Sequence, residues 1–477
     1  MSRPDTSASG EPRVGTNIGR RTLLKAFGAT AVAGAAATTL GARPASAETS
    51  YDVIVIGAGF AGVTAARELR AAGRRPLILE ARNRIGGRTW TTTFAGKQIE
   101  LGGQWLYPTQ VNAQAELTRY GIDLVPGEIA PNQAFYPTPA GQAAFEIGAA
   151  TTQFNALMST LFADSRQLFP RPYEPLSARS AVSQADTLSL RTKINSLPIT
   201  AQDKMWLLSL AASYSGGSSD RGGFTSMAQW WALAGHTPAG WESLTSYRPV
   251  GGMVALLTRI LLDAQAQLVL NSPVTRIVDS GSSVTVTTTT ATYTAPRVVV
   301  AVPANVWRTI SFSPGLPAAH AAATQAGLGV PNVTKMWLRV SGPSAQALTN
   351  GAEGEQISLI LPQNQLSNGD ILAVGFSENP SLDVTNLSQV QAAAQRVAPG
   401  IQVKSVISQP WGRDPYSLGA WGMRGPNQLL QQLPAVQQPS GRLAFATADI
   451  ASGWNGAFID GAIESGRTAA RQTLATS

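Results

Sequence analysis

The feature that most constrains the fold is a glycine-rich turn that follows a short apolar strand. Residues 51–56 are rich in branched side chains and end at glycine, which is typical of a buried parallel strand. Residues 57–62 match GxGxxG, and residues 63–69 have good helical propensity. In such a turn the first glycine permits the bend, the second admits a pyrophosphate close to the backbone, and the third lets the helix pack on the strand. The predicted cofactor contacts here are Gly57, Gly59, Phe60, Ala61 and Gly62.

An acidic residue stands at the spacing that a dinucleotide-binding unit requires. The apolar run Pro76–Leu79 ends at Glu80, which lies 21 residues after Gly59. A carboxylate at this position accepts hydrogen bonds from ribose hydroxyls and repels a 2′-phosphate, which disfavours NADP. The order of strand, turn, helix, strand and carboxylate therefore predicts a dinucleotide-binding unit.

A basic loop directly after Glu80 can meet the phosphates of such a cofactor. Residues 81–89 contain three arginines and a pair of glycines. Arginine pairs with phosphate oxygens, and glycine permits close approach of the backbone. A solvated basic loop is the alternative interpretation. The predicted cofactor contacts in this loop are Arg82, Gly87 and Arg88.

Longer motifs at both ends of the chain carry a family resemblance. Residues 80–89 and 100–105 resemble the flavin-containing amine oxidase family, which includes monoamine oxidases, polyamine oxidases and related demethylases. Residues 411–421, 445–449 and 453–466 are similar to the closing motifs of that family. The resemblance covers nearly the whole chain after residue 50 and implies FAD as the cofactor.

Two shorter segments give a closer likeness within this family. Residues 169–172 and 414–421 resemble bacterial enzymes that oxidise nicotine and pseudooxynicotine. This likeness leaves the particular substrate open, because specificity depends on a few side chains of the pocket.

The resemblance implies an α/β fold with two interleaved domains. A discontinuous, Rossmann-like FAD-binding domain is expected at residues 51–105, 245–305 and 405–477. A mixed α+β substrate-binding domain is expected at residues 106–244 and 306–404. The sequence independently predicts a helix that opens at residues 250–253 and strands near residues 268–270, 274–278, 283–287 and 298–303. It also predicts a mainly helical region from 106 to 240 and further strands at 335–340 and 357–361.

The family resemblance also implies a reaction. A hydride passes from the carbon beside the substrate nitrogen to flavin N5, and the resulting imine hydrolyses to an aldehyde or ketone. The electrons then go to oxygen or another acceptor. Lys335 matches a lysine that the family places near N5 through water, where its charge can stabilise the reduced flavin. Trp421 and Phe458 match two aromatic residues that hold the amine before the flavin.

Each of these three assignments has a structural alternative. Lys335 could be an exposed strand lysine, and Trp421 and Phe458 could fill the core. The register at Phe458 is open, because residues 453–457 are one residue longer than in similar chains. Four further aromatic residues could either line the pocket or pack in the core: Trp105, Tyr214, Trp230 and Trp231.

Further cofactor contacts follow from the same matching. The backbone of Val274 is expected at the adenine end, Asp449 at the phosphate or ribityl region, and the N–H of Ile459 at the flavin ring. Strand packing is the alternative for Val274, and a solvated turn is the alternative for Asp449. Ala420 stands where mitochondrial monoamine oxidases carry the cysteine that tethers their flavin, so FAD is expected to bind non-covalently.

The first 47 residues resemble an export signal. Arg20 and Arg21 precede an alanine-rich apolar stretch, and Ala45-Ser46-Ala47 has the spacing that signal peptidase requires. This pattern predicts a twin-arginine signal and a periplasmic or extracellular enzyme. A short amphipathic or buried helix is the alternative. No later stretch is long and apolar enough to insert the mature chain into a membrane.

Composition excludes several other classes of function. The net charge is +8, but the first 47 residues hold six of the 36 basic and two of the 28 acidic residues. The remaining excess is spread thinly, which argues against nucleic-acid binding. Cysteine is absent and only two histidines occur, so disulfides, a thiol nucleophile and a thiolate or multi-histidine metal centre are not expected.

Two alternative functions on this fold remain open. An L-amino-acid oxidase would need an arginine to pair with the substrate carboxylate, and residues 102–105, where that arginine is usual, read Gly-Gly-Gln-Trp. The other alternative is a non-enzymatic flavoprotein that carries electrons. The expected partners are a small-molecule amine and an electron acceptor. The particular amine and the oligomeric state, including a homo-oligomer, are left open.

Overall fold

The computed structural model describes residues 50–127 and 129–475. The predicted export signal at residues 1–47 lies outside the described residues. Among the helices of the described part, none has the length and apolar character needed to cross a bilayer.

The strands in chain order are β1 Val53–Ile56, β2 Pro76–Leu79, β3 Thr91–Phe94, β4 Lys97–Glu100, β5 Leu124–Pro126, β6 Gln133–Thr138, β7 Gly141–Phe145, β8 Tyr247–Pro249, β9 Gln267–Val269, β10 Val274–Asp279, β11 Val284–Thr288, β12 Thr292–Ala295, β13 Arg297–Val300, β14 Ser311–Ser313, β15 Thr334–Ser341, β16 Ala347–Asn350, β17 Leu359–Gln365, β18 Ile371–Ser377, β19 Gln402–Pro410 and β20 Leu443–Phe445.

The α-helices in chain order are α1 Phe60–Ala71, α2 Val111–Tyr120, α3 Ile147–Leu161, α4 Ser165–Leu168, α5 Arg179–Ala185, α6 Leu190–Asn195, α7 Ala201–Tyr214, α8 Phe224–Leu233, α9 Pro238–Glu242, α10 Met253–Ala264, α11 Ala318–Ala326, α12 Leu387–Val397, α13 Gln428–Gln432 and α14 Ile459–Ala475. Short 3₁₀ turns occupy Ser243–Thr245, Ala304–Thr309, Trp411–Arg413, Ala435–Gln437 and Ala448–Ile450.

A five-stranded parallel sheet forms the first layer of the fold. Its order is β20–β13–β1–β2–β9, and its strands come from three separate stretches of the chain. All four residues of β1 are buried, as expected for a parallel sheet that is covered on both faces. Helix α1 packs against α10 and α14. The predicted α/β, Rossmann-like fold is confirmed.

A seven-stranded sheet forms the second large layer. Its order is β19–β15–β18–β17–β16–β6–β7, and all its neighbours are antiparallel except β16 and β6. Helix α12 illustrates how a helix is attached to this sheet. Its buried residues Val390, Ala393, Ala394 and Val397 recur every three to four positions and so form one apolar face, and the helix packs on β19.

Two strands pair across the predicted domain boundaries. The boundary at residue 405 divides β19, yet this strand pairs with β15 over its whole length. Strand β14, which falls in the predicted substrate domain, pairs with β10 in a four-stranded sheet of order β12–β11–β10–β14. Sheet pairing therefore keeps β19 with the seven-stranded sheet and β14 with β10.

Candidate active site

One large cavity lies where the carboxyl ends of the parallel strands meet the seven-stranded sheet. Its volume is about 590 Å³. One part, the glycine end, is lined by the turns after β1 and β2 and by residues 272–275. The other part, the aromatic end, is lined by Trp105, Ser213, Tyr214, Leu359, Phe376, Trp421 and Phe458. Ligands of open α/β sheets bind beyond the carboxyl ends of the strands, so this position is the expected one.

The glycine turn has the geometry that its sequence predicts. Gly57 has φ of 106°, and an added Cβ would lie 2.7 Å from the Ala301 carbonyl oxygen. An added Cβ on Gly62 would lie 2.0 Å from the Gly57 oxygen, so this residue serves helix packing and does not line the cavity. Gly59 is different, because its added Cβ would meet protein atoms only at 3.7 Å or more. Gly59, Phe60 and Ala61 line the cavity at the start of α1, where free N–H groups suit a pyrophosphate.

Glu80 is held at the cavity wall by the backbone. Its side chain is buried, and its two carboxylate oxygens accept hydrogen bonds from the N–H of Ala58 at 2.8 Å and of Arg82 at 2.9 Å. Each oxygen keeps a further lone pair. Ribose hydroxyls are therefore suitable ligands for this carboxylate.

Two arginines connect the glycine end with the C-terminal motifs. Arg82 pairs with Asp414, donates to Ser417 Oγ at 2.9 Å and lies over the Tyr416 ring. Arg88 donates to Asp449 at 2.8 Å and to the Ala420 carbonyl oxygen at 2.7 Å. Both arginines line the cavity, as does Gly87.

Asp449 occupies a different place from the predicted one. Its carboxylate is buried and does not line the cavity, which excludes a solvated turn as well as a direct position in the cavity wall. Besides Arg88, it accepts hydrogen bonds from the N–H of Ala304 and from Thr447 Oγ1, both at 3.0 Å. Asp449 therefore positions Arg88, which itself lines the cavity.

Val274 and Ile459 both line the cavity. Val274 is the first residue of β10, and Ile459 is the first residue of α14. The first N–H groups of a helix lack partners within that helix, so Ile459 can donate to a cofactor. The glycine turn, Glu80, these two arginines and these two residues together fit FAD.

Lys335 is buried at the aromatic end of the cavity, beside Trp105 and Phe376. It lies on β15 with 3% of its surface exposed, which excludes the exposed strand lysine. Its Nζ donates to the Gly102 carbonyl oxygen and to Gln104 Oε1, each at 2.8 Å. The Trp105 and Phe376 rings lie 5.2 and 5.9 Å from Nζ, close enough to attract a cation through their faces. The Lys335 amino group is therefore held at a fixed place in the cavity wall.

Trp421 and Phe458 both line the aromatic end of the cavity. Trp421 Nε1 donates to the Tyr214 carbonyl oxygen at 2.8 Å, and its ring meets the Phe376 ring edge to face at 5.9 Å. Phe458 packs edge to face against Trp230 at 5.6 Å and Trp454 at 4.6 Å. Both rings therefore reach the cavity from firmly packed surroundings.

The four undecided aromatic residues divide into two pairs. Trp105 and Tyr214 line the cavity, whereas Trp230 and Trp231 do not and are fully buried in the core. Burial raises the pKa of Tyr214 to about 12, so its hydroxyl stays neutral at physiological pH. Trp105 Nε1 is buried and has no hydrogen-bond partner among the described residues, which leaves a donor for a ligand.

Sequence reasoning missed several lining residues. The most important are Ser213, Trp241, Leu359, Leu361 and Phe376. Leu359 and Leu361 are two positions apart on β17 and so share one face of the strand, a signal that the sequence does offer. Phe376 carries no motif, and its role depends on its pairing with Lys335 across β15 and β18.

Comparison with known proteins agrees with this site. Residues 60–474 match the model of the flavin containing amine oxidoreductase family. The chain is 33% identical to pseudooxynicotine dehydrogenase of a Pseudomonas species, over 89% of this chain and 86% of that protein. It is 31% identical to nicotine dehydrogenase of Pseudomonas putida, over 88% of each.

The fold is similar to cyclohexylamine oxidase from Brevibacterium oxydans, with a TM-score of 0.74, 18% identity, and coverage of 90% of this chain and 99% of that one. The resemblance seen in the motifs and the prediction of FAD are confirmed. The chain therefore belongs to the flavin-containing amine oxidoreductase family and is an FAD-dependent enzyme that oxidises amines.

Proposed function

We propose that this enzyme oxidises a small, largely apolar amine with an aromatic ring and no carboxylate, at the carbon beside its nitrogen. The observation that carries the proposal is the aromatic end of the cavity, where Tyr214, Phe376, Trp421 and Phe458 surround the space before Lys335. Such rings exclude water and hold the apolar part of an amine. Two relatives with names that specify nicotine and pseudooxynicotine support a ring-bearing substrate.

Each part of the cavity has a task in this reaction. FAD, when bound, supplies the acceptor for the hydride. The aromatic end orients the C–H bond of the substrate and keeps water away from it. Lys335 supplies a fixed positive charge, held by Gly102 and Gln104, where negative charge develops.

The absence of a suitable arginine disfavours an amino-acid substrate. Among the described residues that line the cavity, the arginines are Arg82 and Arg88, and each is paired with a carboxylate at the glycine end. Residues 102–105, where arginine is usual in amino-acid oxidases, contain none, and the Gln104 amide there is bonded to Lys335 and to Gln363. A substrate carboxylate would therefore find no bidentate partner at the aromatic end.

Anaerobic mixing tests this proposal directly. The purified yellow protein is mixed with ring-bearing amines, with L-amino acids, and with amines that carry no ring. We expect ring-bearing amines to bleach the flavin absorbance fastest. Faster bleaching by amino acids would favour the L-amino-acid oxidase, and bleaching by none of the three sets would favour an electron carrier. Readmission of oxygen then shows whether oxygen restores the colour.

The flavin is proposed to be bound without a covalent link. The chain contains no cysteine, and Ala420 lines the cavity where the family's tether would stand. Heat or acid should release intact FAD into the supernatant. Flavin that stays with the precipitated polypeptide would contradict this part of the proposal.

The enzyme is further proposed to be exported in the folded state. The support is the paired arginines and the Ala45-Ser46-Ala47 sequence. Arg20→Lys combined with Arg21→Lys should block export and leave incorporation of FAD in the cytoplasm unchanged. Unchanged export of the double variant would exclude a twin-arginine signal.

A further inference from the structure

A buried carboxyl group lies just behind the aromatic end. Glu378 follows β18 directly and has only 4% of its surface exposed. Ser213 Oγ donates to Glu378 Oε1 at 3.4 Å, and the Ser358 hydroxyl lies 3.1 Å from that of Ser213. Ser213 itself lines the cavity, next to Tyr214 on α7. A single hydroxyl therefore connects the cavity with this carboxyl group.

The surroundings of Glu378 leave it without a charged partner. Strand β15 contributes Lys335, whose Nζ is bonded to Gly102 and Gln104, and α7 contributes the neutral Tyr214. Arg413 reaches the neighbouring loop, but there it donates to the Pro380 carbonyl oxygen. No titratable side chain occurs on β17. Within the described residues Glu378 forms no ion pair.

The charged residues of the loop before β17 form ion pairs with residues other than Glu378. Glu353 pairs with Arg191, and Glu355 pairs with Arg396. Burial raises the pKa of Glu378 to about 7, although hydrogen bonds from Ser358 and Ser213 oppose the rise. Glu378 can therefore exchange a proton near neutral pH.

An amine substrate brings a proton that must be removed. Alkylamines are ammonium ions at neutral pH, with a pKa near that of lysine, about 10.4. Loss of a hydride from the neighbouring carbon needs a free lone pair on nitrogen. Among the described lining residues the one carboxylate is Glu80, which lies at the glycine end. The aromatic end itself offers hydroxyl groups and the Lys335 amino group, which already donates to Gly102 and Gln104.

We infer that Ser213 and Glu378 together accept the proton of the substrate ammonium. The ammonium N–H bond breaks as its proton passes to Ser213 Oγ, while the proton of Ser213 passes to Glu378 Oε1. The products are a neutral amine, an unchanged serine and a neutral carboxylic acid, which loses its proton to solvent before the next substrate binds. This inference rests on the proposed function, because only an amine substrate carries this proton.

The electrostatics and geometry favour such a transfer. It converts an ammonium and a buried carboxylate into two neutral groups, which lowers the cost of charge in an apolar site. The 3.4 Å contact between Ser213 and Glu378 is long, but catalytic hydrogen bonds often shorten when substrate binds. Helix α7 holds Ser213 in place, since the next residue, Tyr214, accepts a hydrogen bond from Trp421 through its carbonyl oxygen.

The test compares two variants with a matched control. Glu378→Gln removes the acceptor, and Ser213→Ala removes the connecting hydroxyl but keeps the carboxyl group. Ser209→Ala is the control, because Ser209 is a buried serine one turn earlier on α7 that bonds the Gly351 carbonyl oxygen and does not line the cavity. The rate constant of anaerobic flavin reduction divided by the substrate Kd is measured against pH for each holoenzyme.

For the wild type and the control, the rate constant divided by Kd should rise as Glu378 ionises near pH 7 and should then level off. Both variants should depend on the neutral fraction of the free amine, so their values should rise tenfold per pH unit up to the amine's own pKa. Two units below that pKa about one amine in a hundred is neutral, which predicts about a hundredfold loss. Near the amine's pKa the variants should approach the wild type. A merely structural role would lower the rate equally at every pH.

A second measurement does not depend on turnover. The infrared carboxyl absorption of substrate-free wild type, minus that of Glu378→Gln, should show a protonated carboxyl group that disappears near pH 7. If Glu378→Gln fails to retain FAD, the pH profile of Ser213→Ala alone tests the inference. A wild-type profile in the variants that retain FAD, or no infrared titration near neutrality, would overturn the inference. If no amine bleaches the flavin of the wild type, the proposed function itself is wrong. That result needs no variant, so it is distinguishable from failure of this inference.

Discussion

At the glycine end of the cavity, most of the lining comes from one short stretch of chain and its backbone. The aromatic end is instead assembled from side chains of distant segments. Gly57, Gly59 and Glu80 belong to one strand–helix–strand unit. Phe376, Trp421 and Phe458 come from a strand, a loop and the residue before a helix. The first end is constrained by φ angles and close contacts, and the second by packing. Substitutions should therefore affect folding and cofactor at one end, and catalysis at the other.

The broadest effect, on both stability and cofactor binding, is expected for Gly62→Ala. Its new Cβ would lie 2.0 Å from the Gly57 carbonyl oxygen, so the helix must move away from the strand. Overpacking of this kind costs about 1 to 3 kcal/mol or more. We expect a lower melting temperature and protein without FAD. An unchanged melting temperature with full FAD content would show that the third glycine has no packing role.

Gly59→Ala separates cofactor binding from folding at the same turn. An added Cβ there meets protein atoms only at 3.7 Å or more, and φ of −83° is open to any residue. The stability of the FAD-free protein should stay within about 0.5 kcal/mol of wild type. FAD affinity should fall by at least about tenfold, because the methyl group occupies space where the pyrophosphate approaches the backbone. Equilibrium dialysis and thermal melts of the FAD-free protein check both statements.

Trp421→Ala and Trp230→Ala compare a residue that lines the aromatic end with a residue of the core beside it. Trp421 lines the cavity, so its loss should slow anaerobic flavin reduction at saturating amine by about tenfold to a hundredfold, about 1.4 to 2.8 kcal/mol, with FAD content near wild type. Trp230 is fully buried, so its loss should cost about 3 to 5 kcal/mol of stability. A strongly destabilised Trp421→Ala with an undiminished rate would assign Trp421 to the core.

The contrast between the two ends also explains what the sequence could predict. The glycine turn and Glu80 are local, since their function depends on spacing within about 30 residues. Lys335 and Trp421 were reached through family resemblance, because nothing in their immediate surroundings marks them. Ser213 and Glu378 are 165 residues apart, so their contact exists only in the folded chain. Trp230 and Trp231 were undecided, because a buried helix gives both core and cavity residues the same apolar pattern.

Asp449 shows the same limit at the glycine end. Its motif predicts a position near the cavity, but whether its carboxylate reaches a ligand or Arg88 depends on the direction of its side chain. Arg88, the Ala304 N–H and Thr447 all bond to it, and these come from three different segments. No spacing rule contains that information.

The last predictions concern the pH dependence of stability, which has opposite signs for His320 and Glu378. His320 is buried against Trp307 and Phe445, and neither ring nitrogen has a hydrogen-bond partner within the described chain. Burial lowers the pKa of His320 to about 4 from its usual 6.5. The unfolded state therefore binds a proton first as pH falls. The contribution of neutral His320 to stability is present above pH 6.5 and is lost as pH falls toward 4.

Glu378 gives the reverse dependence, because burial raises its pKa to about 7 from 4.5. Its contribution is present below pH 4.5 and is lost as pH rises toward 7, since the unfolded chain releases the proton first. Each group can change the free energy of unfolding by at most about 1.4 kcal/mol per pH unit within its window. Urea titrations of wild type, His320→Leu and Glu378→Gln between pH 4.5 and 7 should show this. Relative to wild type, His320→Leu should become more stable as pH falls, and Glu378→Gln more stable as pH rises; parallel curves for either variant would show that its group does not titrate across this window.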